Sequence, residues 1–332
     1  MRAQKLNLLL LALIALLFIA PLSFAQTSGY SVEGTISLGG NGWWDYLAID
    51  NSDKQLFVSN RNKVHIIDLK TDKQIGEIDN LNGVHGIAIA NEFNKGFISN
   101  GRSDTVAVFN LKTFKVIANV HVTGKNPDAI VYDPYSKRVF TFNGRSSNVT
   151  AIDAKTDKVI GTIALDGRPE FAVSNGKGKM YVNIESKSQI TEFNPKTLKI
   201  LHTWPIAPGQ SPSGLAIDKK NNTLFAGCHN KMMVVVNAKT GEVIATPKIG
   251  EGVDACGYDP ETHLAFSSCG EGVLSVIKEV SSNKFENIDN VKTIRRARTM
   301  ELDESTHNIY MSTMIPGKNK TEEFGVLILK RK

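Results

Sequence analysis

The sequence predicts an all-β fold in which seven four-stranded antiparallel blades form a closed β-propeller. The first observation is the stretch 126–163, where four short apolar runs are separated by turn-forming pairs such as Asp133-Pro134 and Asn143-Gly144. The second is repetition, because equivalent positions at the end of the second strand recur about every 40 to 44 residues. These positions are Asn60, Asn100, Asn143, Ile184, Cys228, Cys269 and Thr313. A four-strand unit of roughly 40–45 residues is typical of a propeller blade.

The units also agree in the detail of one turn. The third strand ends on a polar residue, and a Lys-Thr pair follows two residues later. The polar residues are Asp68, Asn110, Asp153, Asn194 and Asn237. Such agreement indicates copies of one blade, which bury their apolar faces only by packing against one another.

The last blade supplies only three strands of its own. These are Met300–Leu302, Ile309–Ser312 and Val326–Leu329. We therefore expect the N-terminal run Val32–Leu38 to be its fourth strand and to close the ring, which removes exposed sheet edges. The polar segment between Met314 and Phe324 is expected to be a long loop.

The first residues resemble a secretory signal peptide. Arg2 and Lys5 precede an apolar run over 6–19, and Ser23-Phe24-Ala25 is a small-residue cleavage site. We expect cleavage after Ala25, a single propeller domain over 26–332, a periplasmic or secreted location and no membrane span after cleavage. The alternative is an uncleaved anchor, for which the apolar run is short.

Composition narrows the range of functions without selecting one. The net charge is +6, and removal of the signal peptide reduces it to about +4, which permits anion binding but does not by itself indicate nucleic acid. Cys256 and Cys269 are expected either to form a disulfide or to be buried thiols. The sequence contains no nucleophile elbow, phosphate-binding Walker loop, dinucleotide-binding glycine pattern or HExxH zinc motif.

The second-strand motifs resemble those of a known family. LFVSN (Leu56–Asn60), GFISN (Gly96–Asn100) and MYVNI (Met180–Ile184) look like the YVTN-type β-propeller repeat. The chain resembles the YncE-like group of bacterial secreted propellers from about Gly34 onward. The resemblance implies a seven-bladed propeller outside the cytoplasm and allows single-stranded DNA binding. It does not decide function, because one fold supports many functions.

Polar residues recur where the innermost strand of each blade begins. They are Asp45, His85, Asp128, Glu170, Ser213, Asp254 and Arg298. In a propeller these strands line the central channel, so we expect the seven side chains to converge at its mouth. Four converging carboxylates must bind a cation, pair with Arg298 or His85, or hold a proton.

Three interpretations of this ring remain open. A divalent ion such as Ca²⁺, Mn²⁺ or Zn²⁺ would use Asp45, His85, Asp128, Glu170 and Asp254 as candidate ligands. Alternatively, His85 would be a general base beside the carboxylates. The third interpretation is a solvated rim with neither role.

A second set of candidates lies in turns on the same face. Arg61, Arg102 and Arg145 come from consecutive blades and suit bidentate contacts with an anion. Trp44 is expected either to stack on a ligand or to pack between blades. Aspartates also recur at the opposite end of the inner strands, and we expect those to be turn-forming.

The sequence therefore predicts an exported, monomeric propeller that binds a small polar or anionic ligand, with a divalent metal, at the channel mouth. The expected binding residues are Asp45, His85, Asp128, Glu170, Asp254, Arg298, Arg61, Arg102, Arg145 and Trp44. One alternative is a lactonase- or lyase-type enzyme at the same site, with His85 as base. Another is a scaffold for single-stranded DNA or protein, and the modest charge does not favour nucleic acid.

Overall fold

A computed structural model describes residues 27–317 and 321–332, and these ranges contain seven four-stranded antiparallel sheets. The seven-bladed propeller predicted from the repeat is therefore confirmed. The expected signal peptide, residues 1–25, lies outside the described residues. Within the two described ranges, no helix has the length and apolar character needed to cross a membrane.

The strands follow the blades in chain order, with the innermost strand first. β1 (Tyr30–Ser37) precedes blade one, which contains β2 (Trp44–Asp50), β3 (Gln55–Asn60), β4 (Lys63–Asp68) and β5 (Lys73–Ile78). Blade two contains β6 (Val84–Ala90), β7 (Lys95–Asn100), β8 (Thr105–Asn110) and β9 (Val116–His121). Blade three contains β10 (Pro127–Asp133), β11 (Arg138–Asn143), β12 (Asn148–Asp153) and β13 (Val159–Ala164). Blade four contains β14 (Pro169–Ser174), β15 (Met180–Ile184), β16 (Gln189–Phe193) and β17 (Ile200–Pro205).

The remaining blades repeat this arrangement. Blade five contains β18 (Pro212–Asp218), β19 (Thr223–Cys228), β20 (Met232–Asn237) and β21 (Val243–Ala245). Blade six contains β22 (Val253–Asp259), β23 (Leu264–Cys269), β24 (Val273–Ser281) and β25 (Lys284–Lys292). Blade seven contains β26 (Thr299–Asp303), β27 (Asn308–Pro316) and β28 (Glu322–Arg331). Two short 3₁₀ helices cover Asn91–Phe93 and Glu185–Lys187.

The N-terminal strand closes the ring, as the incomplete last blade predicted. β1 pairs antiparallel with β28, so the order in blade seven is β1-β28-β27-β26. The expected long loop between Met314 and Phe324 is wrong, because β27 and β28 remain paired as far as Pro316 and Glu322. Ile315 and Phe324 are buried in this extension, which accounts for the extra strand length.

Aromatic side chains join neighbouring blades. Phe57 of blade one lies 5.6 Å from Phe109 of blade two, measured between ring centroids, and Phe140 and Phe193 form an equivalent pair between blades three and four. All four rings are fully buried. The second and third strands therefore supply the apolar layers between the blades, and the inner strands are left to line the channel.

The three cysteines are buried free thiols. Cys256 lies opposite Ser267 in the strand register and its Sγ is 3.2 Å from the Ser267 Oγ, whereas Cys269 lies opposite Val253. The thiol interpretation is therefore confirmed. Burial raises the pKa of each thiol to about 12, so none is a reactive thiolate at neutral pH.

Buried aspartates end most of the inner strands and organise the turns that follow. Asp259 accepts hydrogen bonds from the backbone N–H groups of Glu261 and Thr262, and Asp218 accepts from those of Lys220 and Asn221. Some of these aspartates also bind the next blade, as in the 2.8 Å contact between Asp259 and His307 Nδ1. The turn-forming role expected for them is confirmed.

A candidate ligand and metal site at the channel mouth

A β-bulge places the mouth residues. In blade one, Trp44 pairs with Asn60 and Leu47 with Val58, so Asp45 and Tyr46 together lie opposite Ser59. The backbone N–H of Asp45 donates to the Ser59 hydroxyl at 3.0 Å. Six of the seven described blades have a register shift at this point. A bulge re-aims one side chain, and here the same bulge is repeated around the channel.

The inner strands begin one residue away from the expected positions. Asp45, His85, Asp128, Glu170, Ser213 and Asp254 are the second residues of their strands, and Arg298 directly precedes β26. The register of the repeat was nevertheless correct. Asp45, Asp128, Glu170, Ser213, Asp254 and Arg298 all line one polar cavity of about 280 Å³, and His85 contacts two of them.

Asp45, His85 and Asp128 form a compact cluster from blades one, two and three. The His85 Nδ1 atom lies 2.7 Å from Asp45 Oδ2 and 3.4 Å from Asp128 Oδ1. One candidate ligand atom from each residue lies within 4.8 Å of the other two. Burial opposes charge on the His85 ring, but the hydrogen bond with Asp45 and the charge of Asp128 outweigh it and raise the His85 pKa.

Glu170 and Asp254, the other two candidate metal ligands, have different partners. Asp254 accepts a 2.6 Å hydrogen bond from Arg298 and a 3.1 Å hydrogen bond from the Ser213 hydroxyl. Glu170 lies 3.7 Å from an Arg168 nitrogen, and Arg168 also binds Glu185. In the part of the chain that the structure describes, only Asp45, His85 and Asp128 form a group with metal-ligand spacing.

The mouth holds several carboxyl groups with raised pKa values. Burial, the charge of Asp128 and the hydrogen bond with Glu185 raise the pKa of Glu170 to about 10. Burial, opposed by the Arg298 charge, raises the pKa of Asp254 to about 6. Such values identify a place where negative charge is concentrated and incompletely compensated.

Aromatic rings form the floor and one wall of the mouth. The ring of Tyr46 lies 4.6 Å from that of Phe171, between centroids, directly below the acidic groups. Trp43 is half-buried, with its ring 5.4 Å from that of His85 and the Arg102 guanidinium 6.0 Å above it. Trp44 is only 3% exposed and packs against Phe324 of blade seven. Of the two roles expected for Trp44, packing between blades is therefore the one observed.

The arginines of the second-strand turns are exposed. Arg61, Arg102 and Arg145 follow β3, β7 and β11, on the face that carries the mouth. The candidate binding set did not include Trp43, Tyr46, Arg168, Glu185 and His229. Glu185 and His229 lie in the second-strand turns that hold Arg61, Arg102 and Arg145 in other blades, so applying the alignment to every blade identifies these two.

The fold and this mouth define a seven-bladed β-propeller with a polar site at one end of its channel. The chain belongs to the DUF5074 family, described as a domain of unknown function, whose model matches residues 44–213, just over half of the sequence. No curated protein matches the chain. Among solved structures, the one described as "Structure of U3-55K" is similar, with a TM-score of 0.76 and 7% identity. The match covers 89% of this chain and 97% of the other, and at that identity it shows the fold alone.

Proposed function

We propose that the protein binds one divalent metal ion through Asp45, His85 and Asp128 and, beside it, a small anionic or polar ligand. The observation that carries the proposal is the convergence of three ligand atoms, within 4.8 Å of one another, from three separate strands. Because each side chain comes from a rigid inner strand, the site would be formed before the ion arrives.

The donor set favours a transition metal. Two carboxylate oxygens and one imidazole nitrogen suit Zn²⁺ or Mn²⁺, whereas Ca²⁺ prefers six to eight oxygen ligands. Three protein ligands also leave coordination positions for a ligand. We therefore expect Zn²⁺ or Mn²⁺ to bind more tightly than Ca²⁺.

The arginines around the mouth support an anionic ligand. The side chains of Arg298 and Arg168 are 46% and 52% exposed, and the exposed Arg61, Arg102 and Arg145 lie in turns on the same face. Guanidinium groups bind carboxylate and phosphate in a bidentate manner. The cavity of about 280 Å³ is suited to a small molecule.

The test is titration of the chelator-treated mature protein with Zn²⁺, Mn²⁺ and Ca²⁺ by isothermal calorimetry. We expect one Zn²⁺ or Mn²⁺ ion per chain, bound at least about 100-fold more weakly by Asp45→Asn and Asp128→Asn. Asp254→Asn is the matched control at the same mouth and should change the affinity by less than about threefold. Absence of saturable binding, or an equal loss in Asp254→Asn, would contradict the proposal.

Export and assignment to the YncE-like group are also part of this proposal. They are supported by the N-terminal sequence and by the LFVSN, GFISN and MYVNI motifs. The mass of the protein recovered from the periplasm or medium tests export, with an N-terminus at Gln26 as the expected result. A full-length mass, with Met1 retained, would be inconsistent with cleavage.

A further inference from the structure

A second cavity lies in the channel on the far side of the Tyr46–Phe171 contact. It has a volume of about 340 Å³ and is lined by inner strands of blades three to seven. Its wall is mixed. Apolar side chains include Val131, Phe171, Leu215, Ile217, Met300 and Leu302, and charged side chains are Lys219, Glu301 and Glu304. An adjoining cavity of about 280 Å³ shares Phe171 and Glu301 with it. The lower channel is therefore a space of ligand size that offers both apolar surface and charged groups.

One acidic side chain, Glu301, belongs to an inner strand of this cavity. Glu301 lies two positions before the last residue of its inner strand. The equivalent residues of the other six inner strands are small or aliphatic: Ala48, Ala88, Val131, Ala172, Ala216 and Gly257. Nothing in the packing of the blade requires an acid here, because six blades form the same strand without one.

Glu301 has no partner of opposite charge. Among residues 27–317 and 321–332 it makes no hydrogen bond or ion pair. Burial and the charge of Glu304 raise its pKa to about 8. Glu304 and Lys219 also line the cavity, so two carboxyl groups face one ammonium group and negative charge is in excess when both acids are ionised. A carboxyl group left unpartnered in apolar surroundings is costly and calls for a ligand.

We propose that the lower channel binds a small organic cation, an ammonium group on a compact apolar body, with Glu301 as its counter-ion. The apolar side chains of the wall would cover the body, and the rings of Phe171 and Tyr258, which line the same cavity, can contact the charged group. Two carboxyl groups disfavour an anion. A single carboxylate without further oxygen or nitrogen ligands disfavours a metal ion.

This site is independent of the mouth. The Tyr46 and Phe171 rings, 4.6 Å apart, separate the two spaces, and Glu301 does not line the mouth cavity. Failure of metal binding at Asp45, His85 and Asp128 would therefore leave the lower site untouched, and the reverse also holds.

The test compares benzylamine, which is a cation, with benzyl alcohol, a neutral molecule of the same body, by isothermal calorimetry on the mature protein. The titrations are made at about pH 8.5, above the pKa of Glu301. We expect benzylamine to bind at least about tenfold more tightly than benzyl alcohol. Glu301→Gln should abolish that preference, and Glu304→Gln, the matched control, should change it by less than about threefold.

A second variant addresses the location. Ala216→Leu narrows the same cavity from blade five and should weaken both compounds without changing Zn²⁺ binding at the mouth. Equal affinity for the two compounds, no binding of either, or a preference that persists in Glu301→Gln would each overturn the proposal. Thermal melting of each variant verifies that the ring is intact.

Discussion

Two rings of carboxylates occupy the opposite ends of the same inner strands, and they have opposite surroundings. In β22, Asp259 accepts two backbone N–H groups and the His307 ring, whereas Asp254, five residues earlier, has only side-chain donors from Arg298 and Ser213. Backbone donors are held by the turn, while side-chain donors can move to a ligand. The number of fixed donors distinguishes a structural carboxylate from one available for binding.

The pKa directions follow the same division. Burial alone would raise the pKa of Asp218 at the turn end, but hydrogen bonds from Asn221 and Tyr258 outweigh it and lower the pKa. At the mouth, burial is not compensated in this way, and it raises the pKa of Asp254. Asp218 therefore stabilises the folded chain when it is ionised, whereas ionised Asp254 opposes folding.

The two rings also differ in how strictly they repeat. The turn end carries Asp in five of seven inner strands, and in blade four Ser174 donates to Asp133 of the preceding blade. The mouth positions carry Asp, His, Glu, Ser and Arg. Within one chain, the positions that repeat serve every blade, and the positions that vary build one asymmetric site.

The largest expected difference between the two rings is tested by truncating each carboxylate of one strand in a separate variant. We expect Asp259→Ala to lower the free energy of unfolding by about 3 kcal/mol, because it leaves buried turn N–H groups and His307 without their acceptor. Asp254→Ala should cost less than about 1 kcal/mol. Urea unfolding followed by circular dichroism measures both, and equal losses would remove the distinction between the rings.

Glu301 lies between the two rings, and its titration is expected to make the free energy of unfolding depend on pH. Its pKa is about 8 in the folded chain, against the ordinary value of 4.5 for a glutamate. Between these pKa values the folded chain holds a proton that the unfolded chain has released, so stability falls as the pH rises. We expect a fall on the order of 5 kcal/mol between about pH 5 and pH 9 from this group.

Glu301→Gln should remove that part of the slope, and Glu304→Gln should retain most of it. Urea midpoints measured across the pH range provide the comparison. A slope that is the same in wild type and Glu301→Gln would show that the group titrates normally in the folded chain.

A smaller effect than that of Asp259→Ala is expected when the side-chain oxygen is kept and the charge removed. Asp259→Asn should lower the free energy of unfolding by about 1 kcal/mol, because an amide oxygen can accept the same turn N–H groups. Asn237 already does so for Lys239 and Thr240 in an outer turn. A loss as large as that of Asp259→Ala would instead assign the stability to the charged contact with His307.

The repeat predicted the blades, the closure and the identity of the mouth residues from residue types alone. Turn residues, alternating apolar runs and the 40- to 44-residue spacing are local properties of the chain, and outside blade seven they determine where strands begin and end to within about two residues. The prediction of a long loop after Met314 was wrong because polar residues also suit the exposed face of an extended strand pair.

The sequence by itself determined a seven-fold repeat and the seven side chains that reach the channel mouth. Only the tertiary structure decided which of them meet: Asp45, His85 and Asp128 form one cluster, while Arg298 pairs with Asp254 and Arg168 binds the acids of blade four. It also decided that Trp43 rather than Trp44 lies at the mouth, and that Glu301 has no partner among the described residues. The reason is physical, since a repeat specifies the position of a residue within its blade, whereas distances across the channel depend on ring closure and on the direction that each bulge gives a side chain.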